Sequence, residues 1–248
     1  MQKLQLILSS LLMVSWLTGC TTGDTSTSDG GYNNQGYDNT QNQQSVVPQP
    51  GTGHGLEYDL SGYLLPTKTL ESRSVSKTFH VTYQDSNGYF TQQPDEIHRY
   101  LEGVKDDLDR PIVNVFEGIA PDQKRVERYV VDENRISVTY YDANDVPVQM
   151  EQYRRYLQAG SDLLRNENGA CVIKEHLENF DMSDGYMPVQ ADPNGYYGSV
   201  LHVYCGDLNG TKIDRYYAEG WGQIAAIRQN SDGSTIYSVF DQNSYEEH

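Results

Sequence analysis

Residues 199–241 read SVLHVYCGDLNGTKIDRYYAEGWGQIAAIRQNSDGSTIYSVFD and contain four short runs rich in β-branched and aromatic residues. Clusters of Gly, Asn, Asp and Ser that are typical of tight turns separate the runs. The pattern predicts four consecutive antiparallel strands: Ser199–Gly206, Thr211–Gly220, Gln223–Gln229 and Ser234–Asp241. Some runs carry apolar residues on both faces, as at Val200 and Leu201, and a strand buried on both faces lies between two layers. We therefore expect this sheet to curl around a helix or a ligand.

Alternation of apolar and polar residues continues upstream, for example at Ile136, Val138 and Tyr140, with short turn sequences between the runs. The fold class predicted is mainly β: an antiparallel meander that forms a curved sheet or half-barrel, with one or two helices packed on it. Residues 56–248 are long enough for one core, so we expect a single β-rich domain there.

One segment has helical spacing instead. Behind Pro94, Asp95 and Glu96, apolar residues recur at Ile97, Tyr100, Leu101, Val104 and Leu108. The spacing predicts a helix whose apolar stripe packs on the concave face of the sheet. The segment around Tyr153, Tyr156 and Leu157 fits either a strand or a helix.

The N-terminus has the charge order of a secretory signal, with Lys3 followed by an apolar run too short to span a bilayer permanently. The run ends in Leu17, Thr18, Gly19 and Cys20, which resembles the bacterial lipobox. The resemblance implies a signal peptide over 1–19 and a lipoprotein that begins at a multiply acylated Cys20; the alternative is an ordinary secreted protein cleaved elsewhere. In such lipoproteins an aspartate after the cysteine causes retention in the inner membrane, and this chain has Thr21 there. The resemblance therefore implies a protein anchored in the outer membrane, either periplasm-facing or surface-exposed. Residues 20–55 are rich in Ser, Thr, Asn, Gln and Gly, which predicts a disordered tether.

The net charge argues against nucleic acid as a partner. The chain carries −17 and, since Lys3 is the one charged residue of 1–19, −18 after cleavage. Binding to phosphate backbones requires a basic patch, whereas the positive residues are interleaved with acids and tyrosines: Lys124, Arg125, Arg128, Arg135, Arg154 and Arg155. An acidic surface is also repelled by anionic lipid, so we expect the lipid on Cys20 to hold the protein at the membrane.

With Cys20 lipidated, Cys171 and Cys205 remain as an even pair in an exported chain, which predicts a disulfide. The alternatives are redox chemistry and a metal site, but there is no Cys-x-x-Cys, and two cysteines without adjacent histidines are half a zinc site at best. We expect the disulfide to join a strand near 170–173 to the strand at 199–206. It would then close the excursion 181–198 at its base.

Residues 216–224, YYAEGWGQI, resemble a Tyr-Ala-x-Gly-x-Gly-x-Val strand pair near the end of several periplasmic half-barrel families. These include the LolA-like and LppX-like carriers of lipoproteins and lipids, and the likeness covers about thirty residues. It implies a half-barrel that carries an apolar ligand. Trp221 departs from the small aliphatic residue usual there. From the residues alone, Gly220 and Gly222 predict a bend or bulge.

Tyrosine is in excess, with 20 residues against five Phe and two Trp. These rings suit a half-buried sheet face, a binding groove or a lipid-lined cavity. We take Tyr204, Tyr217 and Trp221 as candidates to face a ligand or a partner.

No motif of an enzyme is present in the sequence, and the histidines at 80, 98, 176 and 202 fall on separate predicted elements. We predict no catalytic residue, no metal site and no cofactor; calcium in the acidic loops 142–145 and 181–184 is the alternative. Asn209 lies in Asp-Leu-Asn-Gly-Thr, which resembles an extended acidic glycosylation sequon but is equally a tight turn.

Two functions follow from the sequence. The first is a non-catalytic envelope lipoprotein that binds or carries an apolar or amphipathic ligand in a curved sheet. The second is a structural or interaction protein whose tyrosine-rich sheet docks a protein or glycan partner. A hydrolase is a third possibility, without a nucleophile and base in the sequence to support it.

Overall fold

One antiparallel sheet contains nearly all the strands of the computed structural model, which describes residues 56–71, 73–102, 105–118, 122–166, 169–183, 187–207 and 210–248. Its elements are β1 (Tyr58–Asp59), α1 (Leu60–Leu64), α2 (Thr67–Leu70), β2 (Val75–Gln84), β3 (Phe90–Gln92), β4 (Glu96–Glu102), β5 (Ile112–Glu117), β6 (Lys124–Val131), β7 (Arg135–Tyr141), β8 (Pro147–Arg154), β9 (Tyr156–Leu157), β10 (Asp162–Asn166), β11 (Gly169–Asp181), β12 (Tyr196–Asp207), β13 (Lys212–Ala218), β14 (Gly222–Gln229), β15 (Thr235–Phe240) and β16 (Glu246–Glu247). Two single turns of 3-10 helix lie at Val189–Ala191 and Gln242–Ser244.

The strands follow one another around a barrel in the order β10-β11-β12-β13-β14-β15-β2-β4-β5-β6-β7-β8. The two end strands, β8 and β10, lie close together, so the sheet is a nearly closed antiparallel barrel. No backbone ladder joins these two strands in the part of the chain that the structure describes. The predicted fold class, a curved antiparallel sheet with few helices, is confirmed.

Alternation in the sequence places one side of each strand inside the barrel. On β7, Ile136 and Val138 are fully buried, while the alternate residues Ser137 and Thr139 point outward. The four strands predicted for residues 199–241 are present as β12 to β15 and pair in sequence order. Gly220 and Gly222 take the positive φ angles of 83° and 75° at the turn between β13 and β14, and the register shifts between Tyr216 and Tyr217.

Helix α1 closes one end of the barrel. Its N-cap is Asp59, whose carboxylate accepts a hydrogen bond from the backbone N–H of Ser61. The helix buries Leu60 and Leu64 in the interior, and the backbone N–H of Gly220 donates to the carbonyl of Gly62. The turns at 85–89, 142–146 and 230–234 lie at the opposite end, which we call the far end.

The helix predicted over 97–108 is wrong. The structure has strand β4 there, paired with β2 on one side and β5 on the other. Leu108 would have belonged to the apolar stripe, yet its side chain is 72% exposed in a turn where Asp106 accepts hydrogen bonds from the N–H groups of Leu108 and Arg110. Val104 lies outside the described residues. Two strand neighbours for β4 outweigh the local helical spacing, because sheet packing buries Tyr100 without a helix.

The segment around Tyr153 and Tyr156, whose sequence fits either a strand or a helix, forms strands β8 and β9. Strand β9 pairs only with the short strand β1, in a separate ladder with Tyr58 opposite Leu157. This ladder ties the N-terminal described residues to the end of the barrel that α1 closes.

The segment between β11 and β12 covers part of the outer face of the sheet. Met182, Met187 and Ala191 pack against outward-facing residues of the wall that are fully buried: Val200, Ala225 and Val239. The hydroxyl of Thr82 donates to the carbonyl of Gln190, which fixes the 3-10 turn against β2. The wall is thus buried on both faces here, as the apolar character of the sequence predicted.

Candidate ligand site in the barrel interior

Next to α1 the interior of the barrel is filled by apolar side chains. Leu65, Val75, Val113 and Ile136 are fully buried in one cluster that also contains Leu60. Close packing of this kind leaves no room for an acyl chain between them. A ligand inside the barrel would therefore have to lie above this layer, toward the far end.

Above the apolar layer, inward-facing polar residues form what we call the Glu–Tyr–Arg cluster. Register places them together: Glu127 lies opposite Tyr140, Val138 lies opposite Glu151, and side chains on paired positions share one face. The cluster comprises Glu127, Tyr129, Tyr140, Glu151 and Tyr153 from β6 to β8, and Arg215 and Tyr217 from β13 across the barrel.

The carboxylate of Glu151 accepts hydrogen bonds from three side chains. The Tyr140 hydroxyl donates to Oε2 over 3.0 Å, the Tyr153 hydroxyl donates to the same oxygen, and Gln149 Nε2 donates to Oε1 over 2.6 Å. Burial raises the pKa of both tyrosines well above its ordinary value, and the charge of Glu151 adds to it. Both hydroxyls therefore stay protonated and act as donors at neutral pH.

The second carboxylate, Glu127, faces a cation from the opposite wall. Its Oε2 accepts a hydrogen bond of 2.7 Å from the Tyr129 hydroxyl. Burial raises the pKa of Glu127, and repulsion from Glu151 adds to it, while the Tyr129 hydrogen bond and Arg215 act the other way. Interaction with Tyr217, with contributions from Tyr140, Tyr153 and Glu127, raises the pKa of Arg215, so the guanidinium stays charged.

Several members of the cluster retain accessible surface although they point into the barrel. Tyr129, Tyr153 and Tyr217 are buried, whereas Glu127, Tyr140, Gln149, Glu151 and Arg215 are only half-buried. The water that reaches them lies inside the barrel wall, because the outward positions of the same strands belong to the other face. The accessible parts of these side chains therefore lie on the inner side of the sheet.

A second polar centre lies in the same interior, at Lys77 on β2. Its side chain is fully buried, and Nζ donates to the backbone carbonyls of Trp221, at 2.8 Å, and Gln223. Aromatic rings surround the amine, with the Phe240 centroid 4.3 Å away and that of Phe79 5.1 Å away. Burial lowers the pKa of Lys77 well below its ordinary value.

Near Lys77, burial shifts two further inward-facing groups on β4. Burial, with repulsion from Glu117, raises the pKa of Glu96 to about 7. Burial, with repulsion from Lys77, lowers the pKa of His98 to about 4. At neutral pH the imidazole is uncharged and Glu96 is partly protonated.

The arrangement suits binding better than catalysis. Within the cluster one oxygen of each carboxylate accepts hydrogen bonds from tyrosines, and the cluster contains no serine or cysteine nucleophile next to a base. What the cluster supplies is rigid hydrogen-bonding groups, aromatic faces and charge at fixed positions. Such groups orient a bound molecule.

Of the three residues predicted to face a ligand or partner, the structure places only Tyr217 in the cluster. Tyr204 is on the opposite face of β12 from Val203 and Cys205, which pack on the interior. Trp221 lies at the turn between β13 and β14, where its ring packs on those of Tyr197, Phe240 and Tyr245. The three side chains do not share one surface.

Sequence reasoning missed Glu127, Glu151 and Arg215. A signal for one of them exists: in the run 125–131, RVERYVV, strand alternation puts Glu127 on the same face as Tyr129 and Val131. A charged residue on an otherwise apolar face is unusual and marks a candidate site. That Arg215 faces Glu127 across the barrel could not be read from either strand alone.

The disulfide between Cys171 and Cys205 is confirmed, and it joins the predicted strands, β11 and β12. Its predicted position at the base of the excursion is wrong. The excursion leaves the sheet at the pair Asp181 and Tyr196. Cys171 and Cys205 lie ten residues along β11 from that pair, near the other end of the ladder, where Gly169 pairs with Asp207. The ladder of β11 and β12 itself closes the excursion.

The histidines have structural partners on separate elements. His202 is 2% exposed, with Nδ1 2.9 Å from a Glu175 oxygen and Nε2 2.7 Å from an Asp214 oxygen. In the acidic loop 142–145, the Asp142 carboxylate accepts backbone N–H bonds from Asn144 and Val146, and Asp145 pairs with Arg125. The described residues contain no group of three metal-ligating side chains placed to hold a metal ion.

Several predictions concern positions outside the described residues: the signal 1–19, Cys20 and the tether 20–55, and Asn209. No helix in the described part of the chain is long and apolar enough to cross a membrane. No model of a known protein family matches the chain, and no curated protein matches it.

Proposed function

We propose that this protein is a non-catalytic binding protein of the cell envelope that holds a small amphipathic ligand inside its barrel. The ligand's polar group would lie at the Glu–Tyr–Arg cluster, and its apolar part would lie on the layer of side chains above α1. The signal-like N-terminus and the lipobox at Cys20 support an anchor in the outer membrane, periplasm-facing or surface-exposed.

The observation that carries the proposal is the partial exposure of inward-facing residues such as Glu127, Glu151 and Arg215. Side chains held by hydrogen bonds around an accessible space are preorganised, which reduces the entropy lost on binding. The packed apolar layer at Val113 and Ile136 makes a long acyl chain a poor fit, so the ligand is small.

The alternative, docking of a protein or glycan on a tyrosine-rich sheet surface, has less support. Among the described residues the strongly exposed tyrosines are Tyr89, Tyr156 and Tyr196. They lie beside β3, on β9 and at the start of β12, so they do not form one face. Most of the other described tyrosines are buried or half-buried.

The proposal can be tested by native mass spectrometry of the full-length protein purified without denaturant. Gln149 and Gln152 form a matched pair on β8, because Gln149 points into the barrel and Gln152 is exposed on the outside. We expect a co-purifying small molecule in the wild type and in Gln152→Trp, and its loss in Gln149→Trp, where the indole fills the site. Absence of any bound mass from the wild type, or its equal retention in both variants, would refute binding inside the barrel.

A further inference from the structure

We propose that the Glu–Tyr–Arg cluster binds an organic cation, namely the ammonium group of a small alkylamine or a related amine. This inference rests on the proposed function and names the chemical class of the ligand. Three observations inside the barrel support it: the local charge, the direction of the hydrogen bonds and the aromatic surfaces.

The cluster is acidic. It contains two carboxylates, Glu127 and Glu151, and one cation, Arg215, which faces Glu127. With both carboxylates ionised, the cluster carries one negative charge more than Arg215 compensates. The two carboxylates repel each other. A second cation placed close to both of them would relieve this repulsion.

The hydrogen bonds of the cluster leave acceptors. The hydroxyl protons of Tyr129, Tyr140 and Tyr153 are already donated to carboxylate oxygens. Each of these hydroxyls can still accept a hydrogen bond, as can the side-chain carbonyl of Gln149. A ligand group that binds at these oxygens must donate, and an ammonium group has donors and no acceptor.

Aromatic rings complete the environment. Tyr129, Tyr140 and Tyr153 lie next to the carboxylates to which their hydroxyls donate, and a ring face attracts a cation within about 6 Å of its centroid. The same interior already surrounds an amine nitrogen with acceptors and aromatic rings: Lys77 Nζ lies between backbone carbonyls and the rings of Phe240 and Phe79. An amine bound at the cluster would likewise contact hydrogen-bond acceptors and aromatic rings. Its acceptors would include carboxylates, which attract a cation more strongly than backbone carbonyls do.

The test compares three probes of nearly equal size on the full-length protein: n-butylammonium chloride, n-butanol and sodium n-butyrate. Binding is followed by NMR of the tyrosine ring signals, with Tyr140 and Tyr153 assigned from Tyr→Phe variants. We expect saturable shifts of these signals with butylammonium at about millimolar concentration, and at least tenfold weaker effects with butanol and butyrate. Equal responses to butanol and butylammonium, or preference for butyrate, would overturn the cation assignment.

A charge variant provides the second arm. Glu127→Gln retains an acceptor for the Tyr129 hydroxyl but removes one negative charge, so we expect at least a tenfold weaker affinity for butylammonium and little change for butanol. The control is Glu133→Gln, in an exposed turn. An unchanged affinity in Glu127→Gln would show that the cation is bound elsewhere.

The outcomes separate the two proposals. If butanol or butyrate shifts the interior tyrosines and butylammonium does not, the cation inference is wrong while binding in the barrel stands. If none of the three probes shifts them, the cation inference is wrong. In that case the native mass spectrum decides whether the proposed function fails with it.

Discussion

The amine of Lys77 donates a hydrogen bond of 2.8 Å to the carbonyl of Trp221, and so links the interior of strand β2 to the turn between β13 and β14. An ammonium group held by carbonyls and rings, out of contact with water, is costly to keep charged. The geometry therefore couples the protonation of one lysine to the stability of the barrel.

This coupling predicts a pH dependence. Burial lowers the pKa of Lys77 in the folded state, so the unfolded chain binds more protons between that lowered value and 10.5. Stability should then rise with pH across the part of this window below about pH 9.5, by at most about 1.4 kcal/mol per pH unit. Thermal melts of Lys77→Met should lack this rise, whereas the exposed control Lys68→Met should keep it. A wild type and Lys77→Met with parallel pH profiles would contradict the prediction.

Gly222 provides a second prediction, on the same turn. Its φ is 75°, and a β-carbon there would lie 3.1 Å from Cδ of Pro66 and 3.4 Å from the carbonyl oxygen of Leu64. We expect Gly222→Ala to destabilise the fold by about 2 to 3 kcal/mol, because the conformation is strained for alanine and the neighbouring backbone must move. Gly198→Ala is the control, since a β-carbon there meets nothing within 4 Å. Chemical denaturation of both variants measures the difference, and equal midpoints would refute it.

A third prediction concerns the disulfide. Cys171 and Cys205 are 34 residues apart, and closing a loop of that length stabilises the folded state by about 3 to 4 kcal/mol through the unfolded chain. Reduction of the wild type should lower its melting temperature. The double variant Cys171→Ala/Cys205→Ala serves as the control, since reductant should leave its melting temperature unchanged. An identical melt of oxidised and reduced wild type would show that the bond contributes nothing.

These residues also show how far sequence reasoning reaches. Alternation at Ile136 and Val138 and turn residues such as Asn230 to Ser234 are local signals, and they predicted the antiparallel sheet correctly. The helix expected at Ile97 failed because pairing of β4 with β2 and β5 outweighs the helical spacing of its apolar residues. The spacing itself does not show that these two strands become its neighbours. Local pattern cannot weigh neighbours that only the folded sheet supplies.

The candidate site was harder to foresee. Tyr217 was named as an aromatic residue that could face a ligand, but Tyr204 and Trp221 were named with it and lie elsewhere. Membership of the cluster depends on which face of each strand points inward and on which strands lie across the barrel from each other. Both depend on the closure of the sheet, which brings Arg215 of β13 opposite Glu127 of β6.

The fourth prediction concerns Glu96, whose pKa burial raises to about 7. Between pH 4.5 and 7 the folded state binds more protons at this carboxyl than the unfolded state, so its contribution to stability is lost as pH rises through that window. Glu96→Gln should therefore become more stable relative to the wild type as pH rises from 4.5 to 7. The gain is at most about 3 kcal/mol, and less because water reaches 35% of the side chain.

Melting temperatures of the wild type, Glu96→Gln and the exposed control Glu133→Gln, measured at several pH values, would check this. The differences between variants matter here, because His98 titrates in the opposite sense: burial lowers its pKa to about 4. A pH-independent difference between Glu96→Gln and the wild type would refute the predicted protonation of Glu96.

The fifth prediction tests the anchor. Cys20→Ser removes the atom to which lipid would attach, so the protein should move from the membrane fraction to the soluble periplasm or the medium. Fractionation followed by immunoblotting measures this, with Ser28→Ala in the expected tether as the control. Retention of Cys20→Ser in the membrane fraction would show that the lipobox interpretation is wrong.

The seam between β8 and β10 determines how the interior can change size. The wall is continuous by backbone hydrogen bonds from β10 round to β8, and in the described residues those two strands meet without a ladder. Separation of these two strands would therefore break no backbone ladder between their described residues. Since Glu151 and Tyr153 lie on β8, the strand that would move also carries part of the Glu–Tyr–Arg cluster. If the proposed ligand enters through this seam, separating β8 from β10 would also displace the residues proposed to hold it.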